Sequence, residues 1–372
     1  METLREEATR GRMVASSSGG AFEASPDAPL GAIRSELLTK PFRPHPLFQS
    51  GHAQTLVAYA WPRRRTLRAL QSDEARVFEV EPGVRLLVHC RWHADRRAHP
   101  TLLLVHGLEG SSESIYMLGT ALKAHRAGFN VLRLNIRTCG NTLHLTETLY
   151  NSGMSQDLRA VIAELMERDE LTEIFLGGFS LGGNMSLKLA GEYGAEFPRA
   201  LKGVCAVSPS VELAASAERI EQRANWIYQR KFIYSLKRRM REAARLYPER
   251  YDASELRLVS TLRQFDERYT APHGGFRDAA DYYARSSSLP LLASIKIPTL
   301  IIHAEDDPFI PFDSLRHPSV EANPNLILLA PEHGGHVGFV GDGETPGEDR
   351  FWAENRLIEF CERMRRNSEH RK

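Results

Sequence analysis

A serine, a pair of aspartates and a pair of histidines stand along this chain in the order that acyl chemistry through a nucleophilic hydroxyl requires. The serine is Ser180, inside Gly178-Phe-Ser-Leu-Gly182. An unaided serine is a poor nucleophile; it needs a base within hydrogen-bond reach and an acid that orients the base. Small residues two before and two after let a strand turn sharply into a helix and lift the hydroxyl out of the sheet. The following helix brings its positive N-terminal end to the place where negative charge develops. The N–H of Leu181 can donate to an oxyanion there. The acid candidates are Asp306 and Asp307, in Ala304-Glu-Asp-Asp-Pro-Phe-Ile-Pro311. The base candidates are His333 and His336, in Pro331-Glu-His-Gly-Gly-His-Val-Gly-Phe339. A second oxyanion donor is expected from an early loop, and Val105-His-Gly-Leu-Glu-Gly110 supplies the N–H of Leu108.

Each piece also has a plainer reading. Adjacent aspartates before proline are ordinary turn formers. An H-x-x-H pair can hold a metal, but no third ligand is placed nearby, so no metal site is expected. His106 reads as turn-shaping, and His45 and His52 as structural. Agreement among three loops, in order and in position, favours chemistry over coincidence.

The elements that must position these residues alternate between strand and helix patterns. Strand signals cover Val77 to Val80, Val84 to His89, Thr101 to Val105, Val131 to Ile136, Glu173 to Leu176, Leu201 to Val207, Pro298 to His303 and Leu326 to Leu329. Continuous apolar runs such as Thr101-Leu-Leu-Leu-Val105 predict strands covered on both faces. Helices are expected over Ser114 to Ala127, Ser155 to Arg168 (with Ser155 as N-cap) and Arg350 to Arg365. This alternation predicts an α/β class with a mostly parallel, doubly wound sheet. Catalytic loops then sit at the C-terminal strand ends.

Four parts follow along the chain. Residues 1–38, rich in Ser, Ala, Gly and charge, read as a flexible tail. Residues 39–210 form the first part of the core and 293–372 the second. Between them, 211–292 lacks strand signals and reads as a helical cap insertion. The stretch Pro41 to Thr55, with its prolines, is expected to cross the body surface without regular structure. Within the insertion, Arg219 to Arg250 carries ten Lys/Arg against three Asp/Glu. This reads first as a solvated face, and second as a patch for lipid headgroups or an acyl-carrier phosphate.

The whole chain has 372 residues, 42% hydrophobic content and a net charge of +1. Nothing in that balance argues for nucleic acid. No apolar run is long enough for a transmembrane helix. The start lacks the apolar core of a secretory signal. Four scattered cysteines suit a reducing cytoplasm. Phosphate-loop, dinucleotide and H-E-x-x-H motifs are absent, so no cofactor is expected.

The chain resembles the α/β-hydrolase superfamily, and within it the YheT-like hydrolases (AB hydrolase family 4). The resemblance rests on Gly51-His-Ala-Gln-Thr55, His106-Gly-Leu-Glu-Gly-Ser111, Gly178-Phe-Ser-Leu-Gly-Gly-Asn-Met185, Pro298 to Phe309 and Glu332 to Phe339. It implies Ser180 as nucleophile and His336 as base. Acid loops of the superfamily often place the aspartate four residues before a proline, which selects Asp307 over Asp306. It implies hydrolysis of small-molecule esters with short to medium acyl chains. Acyl transfer from the same acyl-enzyme and a non-catalytic scaffold are the alternatives. Relatives often have Arg-Gly-Cys where this chain has Arg137-Thr138-Cys139. Eukaryotic relatives often carry an N-terminal anchor; this chain reads as a soluble member with peripheral lipid contact at most.

Overall fold

Strands without a polar face must be covered on both sides, and the chain does this with two helical layers. In the computed structural model, which describes residues 30–63 and 73–369, eight strands form one sheet. They are β1 (Glu74–Glu81), β2 (Val84–Arg91), β3 (Thr101–Val105), β4 (Asn130–Leu134), β5 (Ile174–Phe179), β6 (Leu201–Val207), β7 (Thr299–Ile302) and β8 (Leu326–Leu329). Their order is β1-β2-β4-β3-β5-β6-β7-β8. The β1–β2 and β2–β4 pairs are antiparallel, and every later pair is parallel. The expected doubly wound α/β sheet is therefore present, with an antiparallel hairpin at one edge.

Side chains alternate across each strand, so one strand feeds two cores. Leu103 and Leu176 join the layer that includes helices α4 (Ser155–Glu167) and α5 (Leu181–Tyr193). Leu102, Leu104 and Phe175 join the layer that includes α3 (Ile115–Arg126) and α9 (Trp352–Glu369). Burial of each such side chain contributes about 1.5–3 kcal/mol. The register aligns the strand ends: Val105 pairs with Gly178, Phe179 with Val207, and Ile302 with Leu329. The loops after β3, β5, β7 and β8 consequently leave the sheet along one edge.

Three local expectations need correction. Gly31–Leu38 lies within the stretch read as tail but forms helix α1, with Leu30, Ile33 and Leu37 buried in the core layer that includes α9. Their spacing puts all three on one face, which offsets the polar composition around them. The remainder of the tail, residues 1–29, lies outside the described residues. Second, Gly51 to Thr55 is not irregular: it opens helix α2 (Gly51–Ala60), capped by Ser50, whose Oγ accepts the N–H of Ala53 at 3.3 Å. The prolines end at Pro46, so nothing hinders a helix that starts after an N-cap serine. Third, Ser155 is the first helical residue of α4 and does not cap it; its hydroxyl donates to Glu192 at 2.6 Å.

Between β6 and β7 the chain forms helices only. The largest are α6 (Leu213–Glu221), α7 (Trp226–Leu246) and α8 (Ala279–Ser286). Leu262–Phe265 continues into a π-helical turn, Asp266–Thr270. Ile233, Leu236, Met240, Tyr251 and Phe265 are buried here in an apolar cluster of their own. Among the described residues no helix is long and apolar enough to cross a membrane.

Candidate active site

The turn from β5 into α5 puts Ser180 at φ 54° and ψ −116°, a left-handed conformation that costs an L-residue about 1–3 kcal/mol. Close packing sustains it. A Cβ on Gly182 would lie 2.5 Å from the carbonyl oxygens of both Val105 and His106, so only glycine lets α5 start this close to β3. The Ser180 N–H donates to the Val207 carbonyl at 2.9 Å, which ties the turn to the end of β6.

The Ser180 Oγ lies 2.9 Å from Nε2 of His336. On the other side of that ring, Nδ1 lies 2.8 Å from Oδ2 of Asp307. The remaining Asp307 oxygen, Oδ1, accepts the N–H groups of Phe309 at 2.7 Å and Ile310 at 3.0 Å. Burial alone would raise the Asp307 carboxyl. The charge and hydrogen bond of His336 outweigh it, with His303 and the Phe309 N–H adding, and hold the carboxyl below its usual range. The tautomer with hydrogen on Nδ1 leaves Nε2 free to accept from the serine hydroxyl.

Asp306 points elsewhere. Its Oδ1 accepts the Gly335 N–H at 2.8 Å, and Oδ2 lies 3.4 Å from Nδ1 of His333. Burial raises its carboxyl, and those two partners offset part of the rise. The two neighbouring aspartates thus serve different atoms: Asp307 faces the ring of His336, and Asp306 faces the backbone that carries it. His333 stays on the Asp306 side.

The loop around His336 is strained. Val337 has φ 54° and Phe339 φ 47°, rare for residues with side chains and rarest for a β-branched one. Two hydroxyls hold it: the His336 N–H donates to Thr55 Oγ1 at 2.9 Å, and the Val337 N–H to Ser208 Oγ at 3.0 Å. Gln54 adds a pair of bonds to Val340, donating to its carbonyl at 3.1 Å and accepting its N–H at 2.7 Å. Helix α2 also runs so close to the acid loop that a Cβ on Gly51 would collide with the Asp306 carbonyl. Sequence reasoning quoted Gln54 and Thr55 within the stretch that carries the resemblance but gave them no role, and it did not single out Ser208. The available signal for Gln54 and Thr55 was that quoted stretch itself; Ser208, directly after a strand, carried none.

The loop after β3 brings Leu108 beside the serine turn, since Val105 pairs with Gly178. His106 is buried; its Nε2 accepts the Ile136 N–H at 3.1 Å and its Nδ1 lies 2.8 Å from the Gly107 carbonyl. Burial pushes its pKa down to about 4, so it is neutral and shapes the turn. The Gly107 N–H donates to the Tyr116 hydroxyl at 3.0 Å. Next to Leu108, Glu109 turns inward and accepts from Tyr150 Oη at 2.8 Å, from Arg239 Nε at 2.9 Å and from Ser235 Oγ. Arg239 also donates to the Thr138 carbonyl. Thr138 itself has φ 62°, a backbone form that suits the glycine expected of relatives at this position. His45 and His52 lie outside this constellation: the His45 N–H donates to the Val340 carbonyl at 3.0 Å, and the His52 ring stacks on Tyr228.

Ser180, Leu108 and Leu181 line one cavity of about 110 Å3, taken as the space open to the centre of a water-sized sphere. Its walls mix aliphatic side chains, including Leu213, Ile220, Leu236, Met240 and Ile310, with aromatic rings such as Phe265 and Tyr269 and with hydroxyls such as Ser210 and Ser216. Charged and ionisable groups line it too, among them Arg239, His273 and Asp266; Asp266 accepts from Thr270 Oγ1 at 2.6 Å and from Tyr283 Oη at 2.7 Å, and burial pushes its pKa up to about 6.

A family model described as the alpha/beta hydrolase fold matches residues 100–342. The chain belongs to the α/β-hydrolase family. It is 32% identical over 269 residues to "Putative esterase YheT" of Escherichia coli (strain K12), covering 72% of this chain and 78% of that one, which places it in the YheT-like branch. It is 28% identical over 250 residues to "Phospholipase ABHD3" of Mus musculus, covering 67% of this chain and 60% of that protein's length. Among solved structures, the Pyrococcus furiosus esterase Pf2001 matches with a TM-score of 0.51 at 17% identity, over 82% of this chain and 96% of that one. That last likeness is one of fold.

Proposed function

We infer that this protein is a carboxylic ester hydrolase working through Ser180, His336 and Asp307, with acyl groups of short to medium length as substrates. The observation that carries the reading is the unbroken hydrogen-bonded line from Ser180 Oγ through both nitrogens of His336 to Asp307, opening onto a cavity with Leu213, Ile220, Leu236 and Met240 in its wall. Relatives named esterase and phospholipase support the ester class.

The steps follow from the chemistry of the groups. Ser180 Oγ attacks the ester carbonyl while its proton passes to His336 Nε2. Asp307 stays ionised, fixes the ring and stabilises the imidazolium that forms. The N–H groups of Leu108 and Leu181 receive the tetrahedral oxyanion; loss of one such donor typically costs about 3–4 kcal/mol of barrier. Collapse of the intermediate breaks the C–O bond, and His336 returns its proton to the leaving alkoxide. Water, deprotonated by the same nitrogen, then releases the acid from Ser180. Against the aliphatic part of the wall a chain gains van der Waals contact and release from water, about 0.8 kcal/mol per buried methylene, so chain length should govern preference.

The test is hydrolysis of p-nitrophenyl esters of graded acyl length by the wild type beside Ser180→Ala. We expect a peak at one length and a loss of about ten-thousand-fold or more in the variant. Near-wild-type hydrolysis by Ser180→Ala would sink the mechanism. Labelling of Ser180 by a fluorophosphonate, without turnover of any nitrophenyl ester, would keep the nucleophile and reject this substrate class.

A further inference from the structure

Helix α7 has two faces that call for different surroundings. Leu236, Arg239 and Met240 turn inward and line the cavity. The outward line, at helical spacing, runs through Ile227, Lys231, Tyr234, Arg238, Arg241 and Arg245. Over its 21 residues the helix carries seven Lys/Arg against a single acid, Glu242. A merely solvated face would be polar throughout, yet Ile227 is 59% exposed and Tyr234 66% exposed. The cations are also poorly neutralised. Arg238 reaches Glu242 at 3.9 Å, whereas Arg241 and Arg245 have no carboxylate partner among the described residues.

Helix α2 extends this face. Lys231 Nζ sits 4.0 Å from the centre of the Tyr59 ring, and His52 stacks on Tyr228 with centroids 5.8 Å apart. The outer line of α2 holds His52, Leu56 and Tyr59, the last 59% exposed. Exposed aliphatic and aromatic side chains therefore lie among unneutralised cations across two adjoining helices. The same two helices reach the catalytic histidine. Thr55 of α2 holds its N–H, and Tyr228 of α7 packs on Phe309, whose ring centre is 4.7 Å from that of His336.

We propose that the α2–α7 face docks the protein on an anionic lipid bilayer. Aromatic and aliphatic tips fit the headgroup boundary, and the cations face the phosphates. A neutral membrane would leave the charges unused, and a soluble anion would leave the apolar tips in water. The cavity lies beneath α7, so a docked molecule holds its acyl site against the source of its substrate; this purpose rests on the ester reading, but the binding does not.

Co-sedimentation of the full-length Ser180→Ala protein with vesicles separates the two. We expect partitioning at least about tenfold stronger on vesicles that are about one third phosphatidylglycerol than on phosphatidylcholine alone. The preference should fade as salt shortens the Debye length. Arg241→Glu with Arg245→Glu should weaken binding by about 25-fold or more, near fivefold for each charge lost. Ile227→Ser with Tyr234→Ser should weaken it about tenfold. With Ser180 restored, both pairs should leave hydrolysis of a water-soluble nitrophenyl ester unchanged, which also reports folding. Equal binding to both vesicle types, or undiminished binding by either pair, would overturn the proposal. So would a change of oligomeric state in those variants, since the face would then belong to a second copy. Binding by a protein that hydrolyses no ester would uphold docking and reject only the ester reading.

Discussion

The serine turn and the helical insertion over it are built on opposite principles. Around Ser180, position comes from backbone. Strand register, the Ser180–Val207 bond and a glycine pressed against β3 set the atoms before any side chain contributes. The insertion contributes no strand to the sheet, and side chains anchor it. Arg239 reaches Glu109 and Thr138, Tyr247 donates to the Leu143 carbonyl at 2.8 Å, and Asn225 to the Pro308 carbonyl at 2.7 Å. A backbone ladder cannot change without changing the fold, whereas side-chain anchors can vary one at a time. The first region suits chemistry that must stay fixed, and the second suits a cavity whose wall can differ among relatives.

The largest effect should come from the backbone-built side. Asp307→Asn should lower kcat by about ten-thousand-fold, because an amide favours the wrong His336 tautomer. Asp306→Asn should cost far less, since its carboxylate serves a backbone N–H and not the ring. Steady-state kinetics of the pair decide; the reverse order would reassign the acid.

A break at the junction should come next. Arg239→Met leaves Glu109 buried among hydroxyls without its cation, which typically costs about 3–5 kcal/mol of stability. Denaturant unfolding should show that loss, and kcat should fall with it because Glu109 adjoins Leu108. Adding Glu109→Gln to the same protein should recover much of the stability, as neutral partners lack the unpaired charge. No recovery would mean that the ion pair does not join the two regions.

The smallest effect sharpens the comparison by pH. His106 is held near pKa 4 when folded, against an ordinary 6.5. Between those values the unfolded chain binds a proton that the folded chain does not, so stability falls as pH drops from 6.5 to 4, by about 3 kcal/mol in all. Thermal unfolding across that window should show the slope, and His106→Asn should flatten it whatever its overall stability. An unchanged slope would place the acid sensitivity elsewhere.

Much of this organisation was legible in the residues, for definite physical reasons. Parallel strands covered on both faces read as continuous apolar runs, so Thr101 to Val105 was plain. The order of Ser180, the aspartates and the histidines was legible because each follows such a run. What escaped was support arriving from far along the chain. Thr55 and Gln54 stand on a helix hidden behind three prolines, and Glu109 finds its arginine 130 residues later. Leu30, Ile33 and Leu37 carried a helical spacing that polar neighbours obscured. Side chains that bond a distant backbone leave no local pattern, because their partners are set by the finished fold.

Helix α2 has a consequence for how the molecule comes into being. It is made early, yet the residues it bonds at the other end of the chain, His336 and Val340, are made 281 and 286 positions after their partners Thr55 and Gln54. Contacts of such separation form late, after the intervening chain has condensed. During synthesis Ser180, the loop after β3 and the helical insertion can all exist while the loop that carries His336 has not yet emerged. With the triad proposed above, activity waits on the joining of two distant stretches of chain, and a partly made chain is a silent one.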